Sequence, residues 1–230
     1  MRRLKVAIDG PCASGKSTIA KLLAQRLGFK LINTGAMYRA VGLLALERGI
    51  DPLDEAAVCS ILPDIDIDLV GPASSQRVIL NGRDVTERIA QPDVAKAASD
   101  ASSLLPVRRE LVARQQAMAQ EGGVVLEGRD IGTVVLKDAE CKFYVTASIE
   151  ERARRRLKDY EGMGIEKALA EVQDELRQRD QNDMTREHSP LKKADDAIEL
   201  DTTHLTIDQV IDRLMDYIQA TSATAYDGPM

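Results

Sequence analysis

Residues 10 to 18 read Gly10-Pro11-Cys12-Ala13-Ser14-Gly15-Lys16-Ser17-Thr18, which contains the complete pattern G-x-x-x-x-G-K-[ST]. The run Leu4–Asp9 before it has the composition of a buried strand, and residues 18–27 after it carry apolar side chains at helical spacing. A strand, a glycine-rich loop and a helix in this order form a phosphate-binding loop, whose backbone N–H groups surround phosphate oxygens. The stretch therefore predicts a nucleoside triphosphate site, with Lys16 on the phosphates and Ser17 as a ligand of Mg²⁺.

Length, charge and composition limit the classes of protein to which the chain can belong. A chain of 230 residues suits one domain with a small insertion, and it contains no run of about 18 apolar residues that could span a membrane. The net charge of −6 and the 3% aromatic content argue against a nucleic-acid footprint, which needs a basic face and stacking side chains. The first strand follows Met1–Arg3 directly, so we expect no signal peptide. The odd count of three cysteines predicts reduced thiols in the cytoplasm, and no apolar stripe marks an interface, so we expect a monomer.

Strand-like and helical segments alternate along most of the chain, which is typical of a parallel sheet covered by helices on both faces. The predicted strands are Lys5–Asp9, Lys30–Asn33, Val124–Glu127, Lys142–Thr146 and Ala197–Leu200. The predicted helices are Lys16–Leu27, Ala36–Glu47, Val107–Gln120, Ile149–Tyr160, Ile165–Arg179 and Thr206–Ala220. The predicted fold class is therefore α/β, with three α/β/α layers, a parallel five-stranded sheet and ligands at the carboxyl ends of the strands.

One segment breaks this alternation. Residues Ile65–Leu69 alternate with period two, and Arg77–Leu80 is joined to Arg83–Val85 by Asn81-Gly82, a pair typical of a type I′ hairpin turn. We therefore predict a small antiparallel sheet inserted into the α/β domain, followed by a connecting helix over Pro92–Ser103. The predicted boundaries are 1–62 and 104–220 for the core domain, 63–103 for the insertion and 221–230 for a disordered tail.

Polar motifs extend several of these elements. They are Asn33–Arg39, Glu127–Thr133, Glu150–Arg156 and Arg179–Arg186. Each can be an ordinary structural feature: a helix cap, a surface ion pair or a solvated helix face. Thr34 is a candidate N-cap. However, Arg39, Arg129 and Arg186 come from three separate segments, two of which follow sheet strands. They can therefore converge on a second anionic group beside the triphosphate.

The residue types that are scarce also indicate the chemistry. The two histidines, His188 and His204, lie outside any nucleophile–base pattern, and the guanine-binding motif N-K-x-D does not occur. A phosphate acceptor has a second pKa near about 6, so it is largely ionised at neutral pH and needs charge shielding and in-line alignment rather than a catalytic base. An arginine-rich chain with few candidate bases thus favours transfer from one phosphate to another.

The ordered set GPCASGKST, NTGAMYR, LEGRDIGTVV, SIEERARRR and RDQNDMTR resembles the bacterial cytidylate (CMP/dCMP) kinases, P-loop members of the nucleoside monophosphate (NMP) kinase family, over residues 4 to 220. The inserted sheet is similar to the NMP-binding domain of that family, and residues 150–186 to its helical lid. The resemblance implies a cytoplasmic enzyme that transfers the γ-phosphate of ATP to CMP or dCMP with Mg²⁺, giving ADP and CDP or dCDP. It implies no nucleic-acid polymer or membrane as a partner.

The resemblance also implies a role for each matched residue. The implied ATP ligands are Gly10 to Thr18 and the lid residues Arg155 and Arg156. The implied ligands of the CMP phosphate are Thr34, Tyr38, Arg39, Arg129 and Arg186, and the implied catalytic residues are Lys16, Arg39, Arg129 and Arg186. The implied base readers are Ser99, Arg108 and Asp130, and the implied ribose ligands are Arg179 and Asp183. Either Arg108 or Arg109 can read the base, because Pro106 stands one place later than in the family pattern.

Three alternatives stay open from the sequence. The chain can be a P-loop kinase of another small acceptor, such as shikimate or a nucleoside. It can also be a nucleotide-dependent switch or RNA-binding module without chemistry, against which the acidic charge and scarce aromatics count. Cys12 can be a small filler residue of the loop or a redox-sensitive thiol.

Overall fold

The computed structural model describes residues 4–224, which form eight strands and eight α-helices joined by loops and short 3₁₀ and π-helical turns. The strands are β1 (Lys5–Asp9), β2 (Lys30–Asn33), β3 (Ile67–Val70), β4 (Arg77–Leu80), β5 (Arg83–Asp84), β6 (Val124–Gly128), β7 (Cys141–Thr146) and β8 (Ile198–Asp201). The helices are α1 (Lys16–Leu27), α2 (Thr34–Glu47), α3 (Glu55–Ile61), α4 (Pro92–Ala101), α5 (Leu105–Met118), α6 (Ile149–Gly162), α7 (Leu169–Thr185) and α8 (Ile207–Thr224).

Five of the strands form a parallel sheet in the order β2-β6-β1-β7-β8, so their carboxyl ends lie along one edge. Their side chains alternate between two hydrophobic cores, one on each face. In β1, Ala7 faces the core shared with α2 and α5, whereas Val6 and Ile8 face the core shared with α1 and α8. Each fully buried Ile or Leu in these cores contributes about 1.5–3 kcal/mol. The predicted three-layer α/β class with its parallel five-stranded sheet is confirmed.

Strands β3, β4 and β5 form the separate antiparallel sheet that the period-two pattern predicts. Asn81 and Gly82 have φ angles of 50° and 76°, as a type I′ turn requires. The helix that follows this sheet, α4, packs closely on α2. Only glycine fits at position 42 of α2, because a Cβ atom there would lie 2.7 Å from the Ala98 nitrogen. Val78 and other apolar residues of the small sheet belong to the same core as α2, so the insertion packs on one face of the domain.

The largest error in a predicted helix start has a local reason. The helix predicted from Ile165 begins at Leu169, because Ile165 closes the preceding helix instead. Its N–H donates to the Tyr160 carbonyl at 2.9 Å across Gly164, which has a φ of 72°. This pattern is the Schellman C-cap, in which a glycine in the left-handed region ends a helix. Helix α7 then continues to Thr185, past its predicted end.

Other predicted ends differ by one to four residues, and two of these differences concern specific predictions. Thr34 is not the N-cap of α2, because the Asn33 side chain accepts the N–H of Ala36 at 2.9 Å and Thr34 is the first helical residue. Helix α8 extends to Thr224, so the predicted tail begins inside a helix, and its residues 225–230 lie outside the described residues. The short helix α3 was not predicted. Between residues 4 and 224 no helix is both long and apolar enough to cross a membrane.

Candidate active site

The phosphate-binding loop connects β1 to α1. Gly10 has a φ of 147°, and a Cβ atom there would come within 2.0 Å of the Val145 carbonyl oxygen, so the position requires glycine. Lys16 is the first residue of α1 and folds back over the loop, with its Nζ donating to the Pro11 carbonyl at 2.5 Å. Burial and the neighbouring Arg129 lower the pKa of Lys16 to about 7. An anionic ligand would offset both effects, so the loop favours a phosphate beside this ammonium group.

Two cavities meet at this loop. The arginine cavity is bounded by α2, α4, α5 and α7 and by the ends of β2 and β6. The loop cavity, about 460 Å³ in volume, lies between the phosphate-binding loop, α6 and the start of α8. Both cavities are lined by Cys12, Ala13, Lys16, Ser17 and Arg39. Ligands bound in the two cavities would therefore meet at the phosphate-binding loop.

Guanidinium groups from separate elements line the arginine cavity. They are Arg39, Arg108, Arg129, Arg179 and Arg186, and they include the three whose convergence the sequence predicts. The Tyr38 hydroxyl, the Nε of Arg179 and one Nη of Arg186 are buried without a hydrogen-bond partner. Burial lowers the pKa of Arg39 and of Arg186, where neighbouring arginines add to the effect. Buried donors without partners are costly, so the cavity is suited to an anion that accepts from them.

Asp183 is the carboxylate that holds part of this cluster in place. Its Oδ2 accepts from the Nε of Arg129 at 2.9 Å, and its Oδ1 lies 3.7 Å from a nitrogen of Arg186. Burial alone would raise the pKa of Asp183, but Arg129 and Arg179 hold it below its ordinary value. Helix α7 carries Arg179 and Asp183 four residues apart on one face, and Arg186 follows the end of that helix.

A buried ion pair between Arg108 and Asp130 also lines the arginine cavity. Arg108 is 3% exposed, whereas Arg109 is an exposed residue, so only the first of the two alternative arginines is in the cavity. Burial opposes the charge of Arg108, but Tyr38 and Asp130 raise its pKa. Ser99 from α4 lines the same cavity. These side chains supply hydrogen-bond donors and acceptors that are held in fixed positions.

The loop cavity is lined by cations of α6 and by apolar side chains. Arg155 donates to the Ser14 carbonyl at 3.2 Å and to the Thr202 carbonyl at 2.9 Å, which ties α6 to the phosphate-binding loop. The Arg156 guanidinium lies 4.3 Å from the centre of the Tyr160 ring. The apolar lining comprises Ile19, Leu205, Ile207 and Val210. Cations beside the loop and apolar residues beyond them suit a nucleotide with several phosphates and a flat base.

Three buried charged residues at the site had no role assigned from the sequence. Glu127 accepts the Ser17 hydroxyl through Oε2 at 2.9 Å, and its Oε1 is buried without a hydrogen-bond partner. Asp9 accepts backbone N–H groups of the turn after β6, and Arg152 donates to the Cys12 carbonyl at 3.2 Å. The available signal for the two carboxylates was their position, because both lie at the carboxyl ends of neighbouring strands.

The pair of Ser17 and Glu127 fits a Mg²⁺ ion. Mg²⁺ prefers oxygen ligands and usually keeps several waters together with phosphate oxygens in its coordination shell. A buried carboxylate oxygen without a partner, beside a hydroxyl group, matches that preference. Among residues 4–224 no group of three or more His, Cys, Asp or Glu side chains could hold a metal. An ion at this pair would therefore take much of its shell from ligand phosphates and water.

A phosphate-binding loop at the end of β1, with a second anion-binding cavity directly beside it, is the arrangement of a P-loop kinase. Within that class the chain belongs to the cytidylate kinase family, whose family model matches residues 6–220.

Curated relatives agree with this family. Cytidylate kinase of Caldicellulosiruptor saccharolyticus is 48% identical over 216 residues, which cover 94% of this chain and 96% of the relative. Cytidylate kinase of Bacillus licheniformis is 47% identical over 218 residues, covering 94% and 96%. Cytidylate kinase of Bacillus cereus strain B4264 is 46% identical over 222 residues, covering 96% and 99%.

Solved structures share the fold at low sequence identity. An uncharacterized protein from Eubacterium ventriosum has a TM-score of 0.51 at 16% identity, with 95% of this chain and 99% of that chain covered. Shikimate kinase from Bacteroides thetaiotaomicron has a TM-score of 0.50 at 13% identity, with 94% and 98% covered. At these identities the likeness concerns the fold alone.

Proposed function

We propose that the protein transfers the γ-phosphate of ATP to CMP or dCMP, giving ADP and CDP or dCDP. The observation that carries this proposal is the meeting of two anion-binding cavities at Lys16 and Arg39. One cavity adjoins a phosphate-binding loop, and the other is lined by four further arginines. Membership of the cytidylate kinase family supports a cytosine nucleotide as the acceptor.

ATP is the proposed donor, with its phosphates on the loop Gly10–Thr18 and its base beside the apolar lining of the loop cavity. Arg155 and Arg156 of α6 would contact the phosphates from the other side. Ser17 and Glu127 would hold Mg²⁺, which supplies positive charge to the β- and γ-phosphate oxygens when it is bound. Closure of α6 and α7 as a lid over roughly residues 150–186 would exclude water and limit wasteful hydrolysis of ATP.

The phosphate of the acceptor would lie in the arginine cavity. Thr34, Tyr38, Arg39, Arg129 and Arg186 would hold its oxygens in line with the γ-phosphate. The acceptor phosphate is already largely ionised at neutral pH, because its second pKa is near about 6, so no catalytic base is required. Lys16 and the arginines would act by positioning the two phosphates and by stabilising the charge that develops on the transferred group.

Cytosine would be read by the buried pair of Arg108 and Asp130 together with Ser99. The N4 amino group of cytosine is a donor that a carboxylate can accept, whereas uracil has an oxygen at that position. A pocket of buried hydrogen-bonding groups rejects a base that leaves them unpaired by large factors, up to about 10⁴–10⁵. Arg179 and Asp183 of α7 would bind the ribose hydroxyls.

We further propose that residues 63–103 act as an NMP-binding subdomain on a core of residues 1–62 and 104–220. The enzyme is proposed to act as a monomer, because the sequence carries no apolar stripe that would mark an interface. The three cysteines are free thiols, which supports a cytoplasmic location. The net charge of −6 supports small nucleotides, rather than a nucleic-acid polymer, as the partners.

A coupled assay of ADP release, run with ATP and a panel of CMP, dCMP, UMP, AMP and GMP, tests this function. The highest kcat/KM is expected for CMP and dCMP. Faster turnover of AMP or GMP would overturn the acceptor, and the absence of ADP release with every nucleotide would overturn the kinase activity itself. The Lys16→Met variant should lose turnover with all five nucleotides, whereas Arg177→Ala, an exposed arginine of α7, should retain it.

A further inference from the structure

The Asp9 carboxylate is buried beside both cavities but lines neither of them. Asp9 is the last residue of β1, directly before the phosphate-binding loop, and is 4% exposed. Its Oδ1 accepts the backbone N–H of Ile131 at 2.8 Å, and its Oδ2 accepts that of Gly132 at 2.8 Å. We infer that Asp9 is a positioning residue that fixes Arg129 and Asp130 in the acceptor site by anchoring the turn that follows them.

The sheet register explains how this carboxylate reaches the turn. Strands β1 and β6 are parallel neighbours, and Asp9 stands opposite Gly128, the last residue of β6. The chain then passes through two residues into a π-helical turn, Ile131–Val135. The first N–H groups of any helical turn have no partner within the turn, and here a carboxylate from the adjacent strand accepts two of them. A Cβ atom at Gly132 would lie 3.4 Å from Asp9 Oδ2, an ordinary van der Waals distance, and 3.2 Å from the Cδ atom of Lys142.

The anchored turn controls two residues of the arginine cavity. Arg129 and Asp130 precede the anchored N–H groups directly, and each is engaged beyond the turn. Arg129 donates to Asp183 at 2.9 Å, and Asp130 pairs with Arg108. A shift of the turn would therefore displace a phosphate ligand and a base reader together, because both side chains start from the same short segment.

The negative charge of the Asp9 carboxylate is destabilised by its burial. Burial raises the pKa of Asp9 to about 6, although its two backbone hydrogen bonds act in the opposite direction. Its like-charged neighbour Asp130 adds to the increase, and Lys16 opposes it. An asparagine has the same shape but only one acceptor oxygen, so its amide N–H₂ would face one of the two backbone N–H groups. Both hydrogen bonds thus require a carboxylate, and Asp9→Asn breaks one of the two with little change in volume.

The test compares Asp9→Asn with Asp54→Asn, a matched control in which an exposed carboxylate accepts a backbone N–H at the start of α3. In Asp9→Asn we expect kcat/KM for CMP to fall by about 10²-fold, as for other small misplacements of catalytic groups, while KM for ATP stays within about twofold. Amide hydrogen exchange at Ile131 and Gly132 should become faster in Asp9→Asn only. The control should match the wild type in all three measurements.

A double-mutant cycle separates positioning from a merely structural role. Asp9→Asn should have a smaller effect on kcat/KM for CMP in the Arg129→Ala background, because one of the two groups that it positions is already absent. Faster exchange at Ile131 and Gly132 with unchanged kcat/KM for CMP would overturn the inference, and so would fully additive effects in the cycle. If Asp9→Asn does not fold, Asp9→Glu keeps the charge but lengthens the side chain by one methylene group, so it should lower kcat/KM for CMP in the same direction, by a smaller factor. An unchanged value would overturn the inference.

The measurements of kcat/KM rest on the CMP kinase activity proposed above, whereas the measurement of amide hydrogen exchange does not. A wild-type protein that releases no ADP with CMP would refute the proposed function. In that case unchanged exchange in Asp9→Asn would still refute the anchor, and faster exchange would support it.

Discussion

Replacing Arg129 by alanine tests the proposed acceptor site most severely. Arg129 is one of the cations that line the arginine cavity, and it does not line the loop cavity. Removing one preorganised donor from a site where charge develops typically costs about 10²–10³ in rate, or about 2.7–4 kcal/mol. We therefore expect Arg129→Ala to lower kcat/KM for CMP by about 10²–10³-fold with little change in KM for ATP.

The same substitution also leaves a buried carboxylate with fewer partners. Asp183 loses its hydrogen bond from Arg129 but keeps Arg186 at 3.7 Å. Stripping one partner from a buried ion pair usually costs about 3–5 kcal/mol, and the remaining arginine should keep the loss of stability below about 3 kcal/mol. Thermal unfolding of Arg129→Ala measures this component separately from the kinetics.

Steady-state ADP release, with CMP varied at saturating ATP and then ATP varied at saturating CMP, separates the two substrates. Arg129→Lys keeps one positive charge but not the planar guanidinium, so its kcat/KM should lie between those of the wild type and Arg129→Ala. Arg177→Ala, on the exposed surface of α7, should match the wild type. Arg129 is excluded from the acceptor site if Arg129→Ala lowers kcat/KM for CMP by less than about tenfold, or if it raises KM for ATP alone.

Three further predictions concern other residues of the site. Burial alone would raise the pKa of the Cys12 thiol, but surrounding cations lower it to about 7, so its thiolate forms at lower pH than usual. Alkylation of Cys12 by iodoacetamide, followed by peptide mapping over a pH series, should increase with pH and reach half its maximum near pH 7. Cys59, whose pKa is raised by burial, should react at higher pH. A Cys12 midpoint at or above 9.0 would contradict this prediction. Glu127→Gln should raise the Mg²⁺ concentration for half-maximal turnover by about tenfold in a metal titration, and an unchanged value would remove Glu127 from the proposed metal site. Asp130→Asn should lower kcat/KM for CMP by about 10²-fold or more, and much less for UMP, so an unchanged CMP-to-UMP ratio would exclude it as a base reader.

Local patterns in the sequence were sufficient for most of the fold. The five strands of the parallel sheet read as short apolar runs because both of their faces are buried, and Asn81-Gly82 marks a turn that few other residue pairs favour. The start of α7 could not be predicted in the same way. Ile165 has the apolar character of a helix residue, but its N–H completes the C-cap of α6 and its side chain packs against the small cluster that contains Tyr160.

In the candidate site, too, the residues that local sequence predicts differ from those that depend on tertiary packing. The phosphate-binding loop is contiguous in sequence, and two of the three arginines predicted to converge follow strands that end at one edge of the sheet. The inward position of Arg108 rather than Arg109 depends on how α5 packs, which the sequence does not specify. Glu127 contacts Ser17 across 110 residues, and Asp9 contacts Ile131 across 122 residues, so their positions at strand ends could suggest a site but not these partners.

The most direct measurement of the central claim follows the transferred phosphate itself. Purified protein is incubated with ATP labelled in its γ-phosphate, together with CMP and Mg²⁺, and the labelled products are identified. We predict that the label appears in the β-phosphate of CDP, in amounts equal to the ADP released. Label that appears only as inorganic phosphate, or that transfers to AMP or GMP in parallel incubations faster than to CMP, would contradict the account.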